Sequence, residues 1–497
     1  MQTMLSSQKA RIVWQLSSIL LLSAATLPAQ ETNQIEQLRQ QLQELQANFE
    51  KVVQQQRLQI QALQKQIETL QNERTATALP PLTPPAEQPP RPAESSLASP
   101  TPGADTSRKP WSPTEPITLV RSGTAYMNIG FTALLDFGWA TTPEVSMLER
   151  GDHDPSQRGF SLPNAELALD GAVDPFFKGF ANIALKLDNE NQTEIELEEA
   201  YLLSSSLPAN LQLKAGQFNA EFGRQNTQHP HAWAFVDQPL VLNRAFGPDG
   251  LRNVGARLSW LAPTPFYTEL MLGVLNGRGG TAYSFRNRGA DDGTGVMRFL
   301  GRAALDRELR GPGDLLYVPR LSSAFDLTDT QTLVVGASGA FGPNATGEHT
   351  RTQIYGLDAY WKWKSSRAQA GFPFVSWQTE VLYRRFEGAA DPLARTPLPA
   401  ETLEDWGLYS EVLWGFKPRW VVGLRGEQVG ANAGASEGRD PTRTDRTRIA
   451  PNLTWYPSEF SKVRLQYNYD QDQSFGTEHS VWMQLEFLLG AHAAHKF

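Results

Sequence analysis

The sequence predicts an all-β transmembrane barrel of about 16 antiparallel strands, preceded by an N-terminal α-helical coiled coil and a Pro-rich linker. Apolar and polar residues alternate over much of residues 117–497, which is the period of a strand with one apolar face. Outside the N-terminus, no apolar run approaches the roughly 20 residues of a membrane helix. Short and long connections also largely alternate, as they do when strands run up and down through a membrane.

Composition limits the classes of function. The chain has 497 residues, a formal net charge of −8 and no Cys. It is longer than one ordinary soluble domain, and without Cys it has neither a disulfide framework nor a thiolate metal site. No basic stripe indicates a nucleic-acid partner. No nucleophile–base pair or phosphate-binding Gly loop is present, so we predict a protein that is not an enzyme and needs no cofactor.

Residues 1–29 have the features of a secretory signal peptide. Lys9 and Arg11 form a charged start, an apolar stretch follows at 12–22, and small residues occupy 23–25. The alternative is an uncleaved anchor helix, which the short apolar stretch disfavours. A signal peptide implies export to the cell envelope.

Residues 30–73 are predicted to form a periplasmic coiled coil. They lack Gly and Pro, and Leu38, Leu42, Leu45 and Phe49 follow a 3-4 spacing. A single amphipathic helix lying on a surface is the alternative, but the flanking residues are rich in Gln rather than in Lys or Arg. A coiled coil implies self-association, and it is also the segment that would contact the cell wall.

Residues 74–116 form a Pro-rich linker that cannot pack a core. At roughly 3 Å per residue it spans on the order of 100 Å. The linker would hold the coiled coil away from the barrel domain, residues 117–497.

Within the barrel domain the alternation defines a set of candidate strands. They are 123–139, 160–173, 176–188, 193–205, 211–223, 252–261, 266–276, 314–327, 331–341, 352–364, 374–386, 403–416, 419–429, 447–456, 460–472 and 478–489. Most connections are alternately tight and long, and 365–372 is predicted to be a long turn. An even number of strands places both barrel ends on the periplasmic side.

If the apolar strand faces meet lipid, the opposite faces line a lumen. The predicted inward-facing acids are Asp136, Glu166, Asp170, Glu269, Asp358, Glu380, Glu411, Glu427, Asp470 and Glu486. The predicted inward-facing bases are Lys178, Lys186, Arg257, Arg384, Arg425 and Arg464. These charges either set ion selectivity or pair across strands and stiffen the wall. Aromatic residues near strand ends, such as Trp139 and Trp455, are typical of interfacial girdles.

Several stretches of the barrel domain resemble the phosphate-selective porin superfamily, and in particular a branch often labelled zinc-regulated outer-membrane receptors. The terminal Phe497 resembles the end of outer-membrane β-barrels in general. The stretches that carry the superfamily resemblance are LKAGQF at 213–218, HPHAW at 229–233, DQPL at 237–240, RNVG at 252–255, NG at 276–277 and LGAH at 489–492. The resemblance implies a sixteen-stranded trimeric porin whose third outer loop, here 224–251, folds into the lumen. It also implies an Arg ladder for phosphate, and no comparable ladder is evident in this sequence.

The inserted loop is the candidate channel constriction and solute-binding site. It holds Arg224, His229, His231, Asp237 and Arg244, and Arg257 follows on the next strand. His229 and His231, together with Asp237, form a candidate ligand set for a divalent metal. The alternative is that these histidines pack or form hydrogen bonds locally.

The sequence therefore favours an outer-membrane porin with its N-terminal segment in the periplasm. It would form a homotrimer in outer-membrane lipid and pass small hydrophilic or charged solutes by passive diffusion. Two alternatives remain open. One is a receptor or channel for a metal ion or a specific anion. The other is a structural tether between the outer membrane and the cell wall.

Overall fold

The structure is a computed structural model. It describes residues 116–188, 192–205, 207–293, 295–369, 371–435 and 442–490. The predicted signal peptide, the coiled coil, the linker up to residue 115 and the terminal Phe497 lie outside the described residues.

Twenty strands occur along the described chain. In order they are β1 (Ile117–Ser122), β2 (Ala125–Ala140), β3 (Gly159–Ala172), β4 (Phe177–Leu187), β5 (Thr193–Ser204), β6 (Leu211–Asn219), β7 (Arg252–Leu261), β8 (Tyr267–Leu275), β9 (Ala290–Asp291), β10 (Met297–Phe299), β11 (Arg302–Ala303), β12 (Leu316–Thr328), β13 (Gln331–Pro343), β14 (Arg351–Gln369), β15 (Phe372–Gly388), β16 (Glu401–Lys417), β17 (Trp420–Ala431), β18 (Arg446–Ser458), β19 (Ser461–Asp472) and β20 (Gly476–Leu489). One α-helix, α1 (Leu240–Phe246), lies between β6 and β7.

Sixteen of these strands close into an antiparallel barrel, as the sequence predicts. Within the barrel, each strand pairs with the next strand in sequence, except that β8 pairs with β12. Strands β9–β11 form a separate small sheet in the loop between β8 and β12. The ring closes where Trp139 of β2 pairs with Val481 of β20. Strand β1 pairs with the first residues of β2, beside the end of β20. Closure leaves the barrel without an open sheet edge.

The barrel is apolar outside and polar inside. On β2, Phe137 and Trp139 are 41% and 61% exposed on the outer face, whereas Asp136 between Leu135 and Phe137 is fully buried on the inner face. On β14, Leu357 is 65% exposed and the adjacent Asp358 faces inward. This arrangement is the reverse of a soluble β-protein, in which the buried face is apolar. It confirms the predicted assignment of the two strand faces.

Most of the predicted inward-facing charges are buried inside the barrel. The buried ones are Asp136, Glu166, Asp358, Glu380, Glu411, Glu427, Asp470, Glu486, Arg257, Arg384, Arg425 and Arg464. Lys178 is instead exposed at the start of β4, next to a short turn.

The two ends of the barrel differ in their connections. One end carries tight turns, such as the one between β16 and β17, and the other carries the long loops. The predicted long turn at 365–372 is wrong, because β14 continues to Gln369 and β15 begins at Phe372. The polar residues 364–367 are a strand extension, so their polarity marks the end of the apolar band rather than the end of the strand.

The strand prediction also fails at the end of β6. The alternation of Phe218, Ala220 and Phe222 continues past Asn219, where the strand stops. These three residues point into an apolar cluster inside the barrel together with residues of α1. Separately, no helix in the described part of the chain is long and apolar enough to cross a membrane.

Candidate functional site

The connection between β6 and β7, residues 220–251, folds into the barrel interior, and we call it the lumenal loop. Its two ends are tied together, because the Ala220 amide donates to the Leu251 carbonyl at 2.8 Å. Asn226 reinforces this closure. Its Nδ2 donates to the Ala220 carbonyl at 2.8 Å and to the Leu251 carbonyl at 3.0 Å, and its Oδ1 accepts the Leu251 amide at 2.8 Å. The loop therefore has a fixed base from which it extends across the lumen.

Glu380 on β15 fixes the start of the lumenal loop. Its carboxylate accepts the backbone amides of Arg224 at 3.0 Å and Gln225 at 2.7 Å, and the Tyr409 hydroxyl at 2.8 Å. Gly223 precedes these residues with φ of +61°, and a Cβ there would collide with the Glu380 carboxylate. The positive φ therefore favours glycine, and a side chain at this position would also displace the carboxylate that holds the loop.

Helix α1 packs the middle of the loop against the barrel wall. The helix lies against β15, β16 and β17. Phe246 meets Phe222 in a T-shaped contact with 4.9 Å between ring centroids, and Val241 and Leu242 are fully buried in the same cluster. At the start of the helix the Leu240 amide donates to Glu427 of β17 at 2.7 Å. The loop is thus held by apolar burial as well as by polar contacts.

Asp237 anchors the lumenal loop to the part of the barrel wall formed by β17, β18 and β19. Its Oδ1 accepts Arg425 Nη2 at 2.8 Å and Gln466 Nε2 at 2.6 Å, and its Oδ2 pairs with Arg448. Burial alone would raise the pKa of Asp237, but Arg425 and Arg448 hold it below its usual value. The carboxylate is therefore ionised and forms a buried, charge-assisted network.

Arg448 also joins a second loop to this network. Glu149, from the long connection between β2 and β3, accepts Arg448 Nη1 at 2.7 Å. Arg448 Nε contacts Asp470 of β19 at 2.9 Å. Two loops and two strands therefore share one guanidinium group in the interior.

A β-bulge in β5 places two consecutive glutamates inside the barrel. Asn182 of β4 pairs with Glu199 and Ile183 pairs with Leu197, so Glu198 has no partner in the register. Both glutamates are buried on the inner face, where Glu198 is 3% exposed and Glu199 is 1% exposed. A regular strand would send one of the two outward, and a bulge removes that constraint.

His229 of the lumenal loop lies between these glutamates. Its Nδ1 is 3.0 Å from Glu198 Oε2 and its Nε2 is 3.0 Å from Glu199 Oε2. Nδ1 is also 3.8 Å from Glu166 Oε2 of β3. Burial would lower the pKa of His229, but the surrounding carboxylates raise it well above its usual value.

His153, from the connection between β2 and β3, approaches the same cluster. Its Nε2 is 3.0 Å from Glu198 Oε1, and its Nδ1 is 3.1 Å from the Pro163 carbonyl. Burial opposes protonation, but Glu198 and Asp152 raise the pKa of His153 to about 9. The cluster thus joins two loops to β3 and β5.

The expected histidine pair is present, but its carboxylate partner differs from the one predicted. The rings of His229 and His231 stack with 5.9 Å between centroids, and His231 Nδ1 is 3.2 Å from Glu166 Oε2. Asp237 is engaged with Arg425 and Arg448 instead. The carboxylates beside the histidines therefore come from the barrel wall and not from the loop.

The other three predicted site residues lie at separate places. Arg224 lies 4.0 Å from the centre of the Tyr360 ring and lines a cavity of about 150 Å³ with Gln378. Arg244 donates to the Thr444 carbonyl in the connection between β17 and β18. Arg257 Nε is 3.2 Å from Glu221 at the start of the loop. All three contact the lumenal loop or belong to it, but they form no single cluster.

A row of inward-facing cations lies on β15, β17, β18 and β19. Its members are Arg384, Arg425, Arg446, Arg448, Lys462 and Arg464. Most are paired with carboxylates, as Arg384 is with Asp405 at 2.7 Å and Lys462 is with Glu486 at 2.6 Å. The row is therefore largely neutralised, which agrees with the alternative that lumenal charges pair across strands.

Sequence reasoning missed several residues of these clusters. They are Glu149, His153, Glu198, Glu199, Arg446 and Arg448. One available signal was the change of parity in β5, where Ile195 and Leu197 face outward and Leu202 also faces outward. An odd separation between outward residues indicates a bulge.

No family model matches the chain. Among solved structures, the outer-membrane channel DcaP of Acinetobacter baumannii is similar with 12% identity and a TM-score of 0.49, over 74% of this chain and 99% of that one. An anion-selective porin from Comamonas acidovorans is similar with 8% identity and a TM-score of 0.46, over 73% of this chain and 100% of that one.

A stronger sequence relationship exists to an uncharacterized protein of Aquifex aeolicus strain VF5. The two are 34% identical over 364 residues, which cover 69% of this chain and 71% of that protein. The chain therefore belongs to the same protein family as this uncharacterized Aquifex aeolicus protein.

Proposed function

We propose that the protein is an outer-membrane channel that passes small hydrophilic or charged solutes by passive diffusion. The observation that carries the proposal is a closed barrel with an apolar exterior and a charged interior, across which one loop is folded. A closed barrel satisfies every backbone group within its wall, which a lipid environment demands. A polar interior provides a path for water and solutes.

The exterior supports a membrane location. Large apolar side chains are exposed all around the barrel, for example Phe137 on β2, Leu272 on β8, Leu357 on β14 and Leu465 on β19. In water such an apolar belt would be strongly unfavourable. Aromatic residues such as Trp139 lie toward the ends of the outer faces, as in interfacial girdles.

The lumenal loop supports a constriction within the channel. A cavity of about 1300 Å³ on the side of the long loops includes Pro248 and Tyr283 in its lining. The same two residues line a smaller cavity of about 140 Å³ beside Arg244. Beyond the loop, the cavity of about 150 Å³ at Arg224 includes Gln228 and Ala232. Arg224 and Arg244, which line two of these cavities, are therefore the proposed selectivity residues.

We further propose that the barrel works as a homotrimer, with the N-terminal segment in the periplasm. The outer face has a depression of about 480 Å³ lined by small residues, including Gly171, Gly179, Ala181, Ala200 and Ala215. Small residues allow a second barrel to approach closely in lipid. Measurement of the mass of the detergent-solubilised protein, corrected for bound detergent, tests this proposal.

Planar-bilayer recording tests the channel proposal. The purified protein is expected to insert as discrete, ohmic conductance steps, and the reversal potential in a salt gradient gives the charge preference of the pore. Saturable flux of one ion would favour the receptor alternative. A folded protein that inserts into bilayers without conductance would contradict the channel and favour a structural tether.

A further inference from the structure

The cluster around His229 contains an unusual concentration of buried carboxylates. Glu166, Glu198 and Glu199 are at most 3% exposed, and all three contact His229 or approach it within 4 Å. Arg252 is the nearest arginine to Glu198, at 3.9 Å. Buried carboxylates require a compensating positive charge close by. A cation bound among these three carboxylates would supply such a charge.

The geometry of three groups in this cluster is suited to a metal ion. His229, Glu166 and Glu198 each offer one ligand atom, and these atoms lie within 4.8 Å of one another. The distances from His229 Nδ1 to the two glutamate oxygens are 3.0 and 3.8 Å. Ligands of a tetrahedral zinc ion are separated by about 3.3 Å when each metal bond is about 2.0–2.1 Å. Only small side-chain movements separate the three groups from that arrangement.

Asn182 provides a second and independent observation. Its side chain is fully buried, and its Oδ1 has no hydrogen-bond partner. Its Nδ2 is 2.6 Å from Glu198 Oε2, 3.2 Å from Glu166 Oε2 and 3.0 Å from His229 Nδ1. Rotation of the amide by half a turn, which conserves its shape, would place Oδ1 among these three groups. The unpartnered oxygen then becomes a fourth ligand.

The groups surrounding these ligands are also arranged as they are around a metal. His229 Nε2, on the far side of the ring, is 3.0 Å from Glu199 Oε2. Glu198 Oε1 is 3.0 Å from His153 Nε2, and Asn164 donates to Glu166 Oε1. Metal-ligating histidines almost always donate their other nitrogen to such a partner, which orients the ring. His231 lies beside Glu166, in the same surrounding layer.

We propose that Glu166, Glu198, His229 and Asn182 form a binding site for one divalent transition-metal ion. A ligand set of imidazole, carboxylate and amide oxygen suits such an ion, whereas Ca²⁺ and Mg²⁺ prefer oxygen ligands alone. His229 belongs to the lumenal loop and the other three residues belong to β3, β4 and β5. The ion therefore ties the loop to the barrel wall. Binding itself does not depend on conduction, but the effect of binding on the constriction rests on the proposed function.

The test is titration of the full-length protein, in detergent, without a histidine tag and after treatment with a chelator. Zn²⁺ is expected to bind with one high-affinity site per chain and to raise the thermal unfolding midpoint. His229→Gln and Glu198→Gln each should weaken Zn²⁺ binding by more than about 100-fold, and Glu199→Gln by about 10- to 100-fold. His349→Gln and Glu348→Gln, both exposed in the loop between β13 and β14, are the matched controls and should bind as the unaltered protein does.

If His229→Gln and Glu198→Gln fold poorly, their weaker Zn²⁺ binding would not be informative. A variant that is expected to bind Zn²⁺ more tightly avoids this problem. Asn182→Asp adds a carboxylate at the fourth ligand position and should tighten Zn²⁺ binding at least about 10-fold. Ca²⁺ at equal concentration should not displace Zn²⁺. The absence of a high-affinity site would overturn the proposal, and so would tight binding that survives His229→Gln. Binding without bilayer conductance would preserve the metal site and refute the channel.

Discussion

Asp237 of the lumenal loop and Arg425 of β17 form a buried ion pair at 2.8 Å across 188 residues of sequence. Arg448 contacts the same carboxylate from β18. The loop is therefore joined to the wall opposite its base by an interaction that water does not screen. This pair holds the loop across the lumen, and it is the first feature to test.

Asp237→Asn should destabilise the protein, because it leaves the buried Arg425 and Arg448 without a full counter-charge. Loss of one partner of a buried ion pair costs about 3–5 kcal/mol. We expect a lower thermal unfolding midpoint in detergent. In bilayers we expect added current fluctuation, because the loop loses its anchor.

The exposed pair Arg278 and Asp306 is a matched control for Asp237. These side chains are 2.7 Å apart and about half exposed. Asp306→Asn should lower the free energy of unfolding by less than about 1 kcal/mol, as is usual for exposed ion pairs. Equal losses from Asp237→Asn and Asp306→Asn would mean that the buried pair does not hold the loop.

Leu357→Arg tests the orientation of the barrel in lipid. Leu357 is 65% exposed on the outer face of β14, whereas Leu393 is 89% exposed in a long loop. An arginine at the bilayer midplane costs a barrel about 2–4 kcal/mol. Folding into lipid vesicles should be destabilised by Leu357→Arg and unaffected by Leu393→Arg. An unchanged folding free energy for both variants would argue against a lipid-facing β14.

Asp249 of the lumenal loop predicts a pH dependence of stability. Burial, together with Asp152 and Glu196, raises the pKa of Asp249 from its ordinary value near 3.8 to about 7. The folded state therefore binds the proton more tightly than the unfolded state does. This contribution to stability is present below about pH 4 and is lost as the pH rises through about 7.

Asp249→Asn removes that dependence because the amide carries no charge at any pH. At pH 8.5 the variant should be more stable than the unaltered protein by about 1–3 kcal/mol. The advantage should shrink as the pH falls toward 5. Asp329→Asn, in an exposed turn, is the control and should show no such trend. A variant that is less stable at pH 8.5 would show that Asp249 is ionised in a favourable contact.

Arg224→Glu should change the charge preference of the pore. Arg224 lies over Tyr360 and lines the cavity beside the lumenal loop. Reversal of its charge should lower the anion-to-cation permeability ratio by roughly threefold or more. The measurement is the reversal potential in a salt gradient. Arg310→Glu is the control, because Arg310 lies in a loop with its side chain 70% exposed. It should leave the reversal potential nearly unchanged. If both variants shift the potential equally, Arg224 does not lie on the solute path.

The fold was accessible from the sequence because each strand carries its own local signal. The prediction of 252–261 coincides with β7, and the outward positions of Phe137 and Trp139 follow from period two alone. The failures occur where local alternation has another cause. Phe222 alternates with its neighbours because it packs against α1 inside the barrel, not because it belongs to a strand.

The site was less accessible because its members come from distant segments. His229 was identified from its own motif, but Glu198 and Glu199 reach it only because a bulge turns both inward. The spacing of residues within the loop does not predict which residues of the barrel wall the loop contacts. Similarly, Asp237 was grouped with the histidines nearby in sequence, although the fold pairs it with Arg425 and Arg448.

The most direct test of the account is block of the current at one engineered cysteine. The chain contains no Cys, so Ala232→Cys in the lumenal loop would provide the only thiol. A charged, thiol-specific reagent should reduce the single-channel conductance of Ala232→Cys by at least about half. The reagent should modify Leu393→Cys in the exposed loop without any reduction. If the conductance is unchanged after complete modification of Ala232→Cys, solutes do not pass the lumenal loop and the proposed channel is wrong.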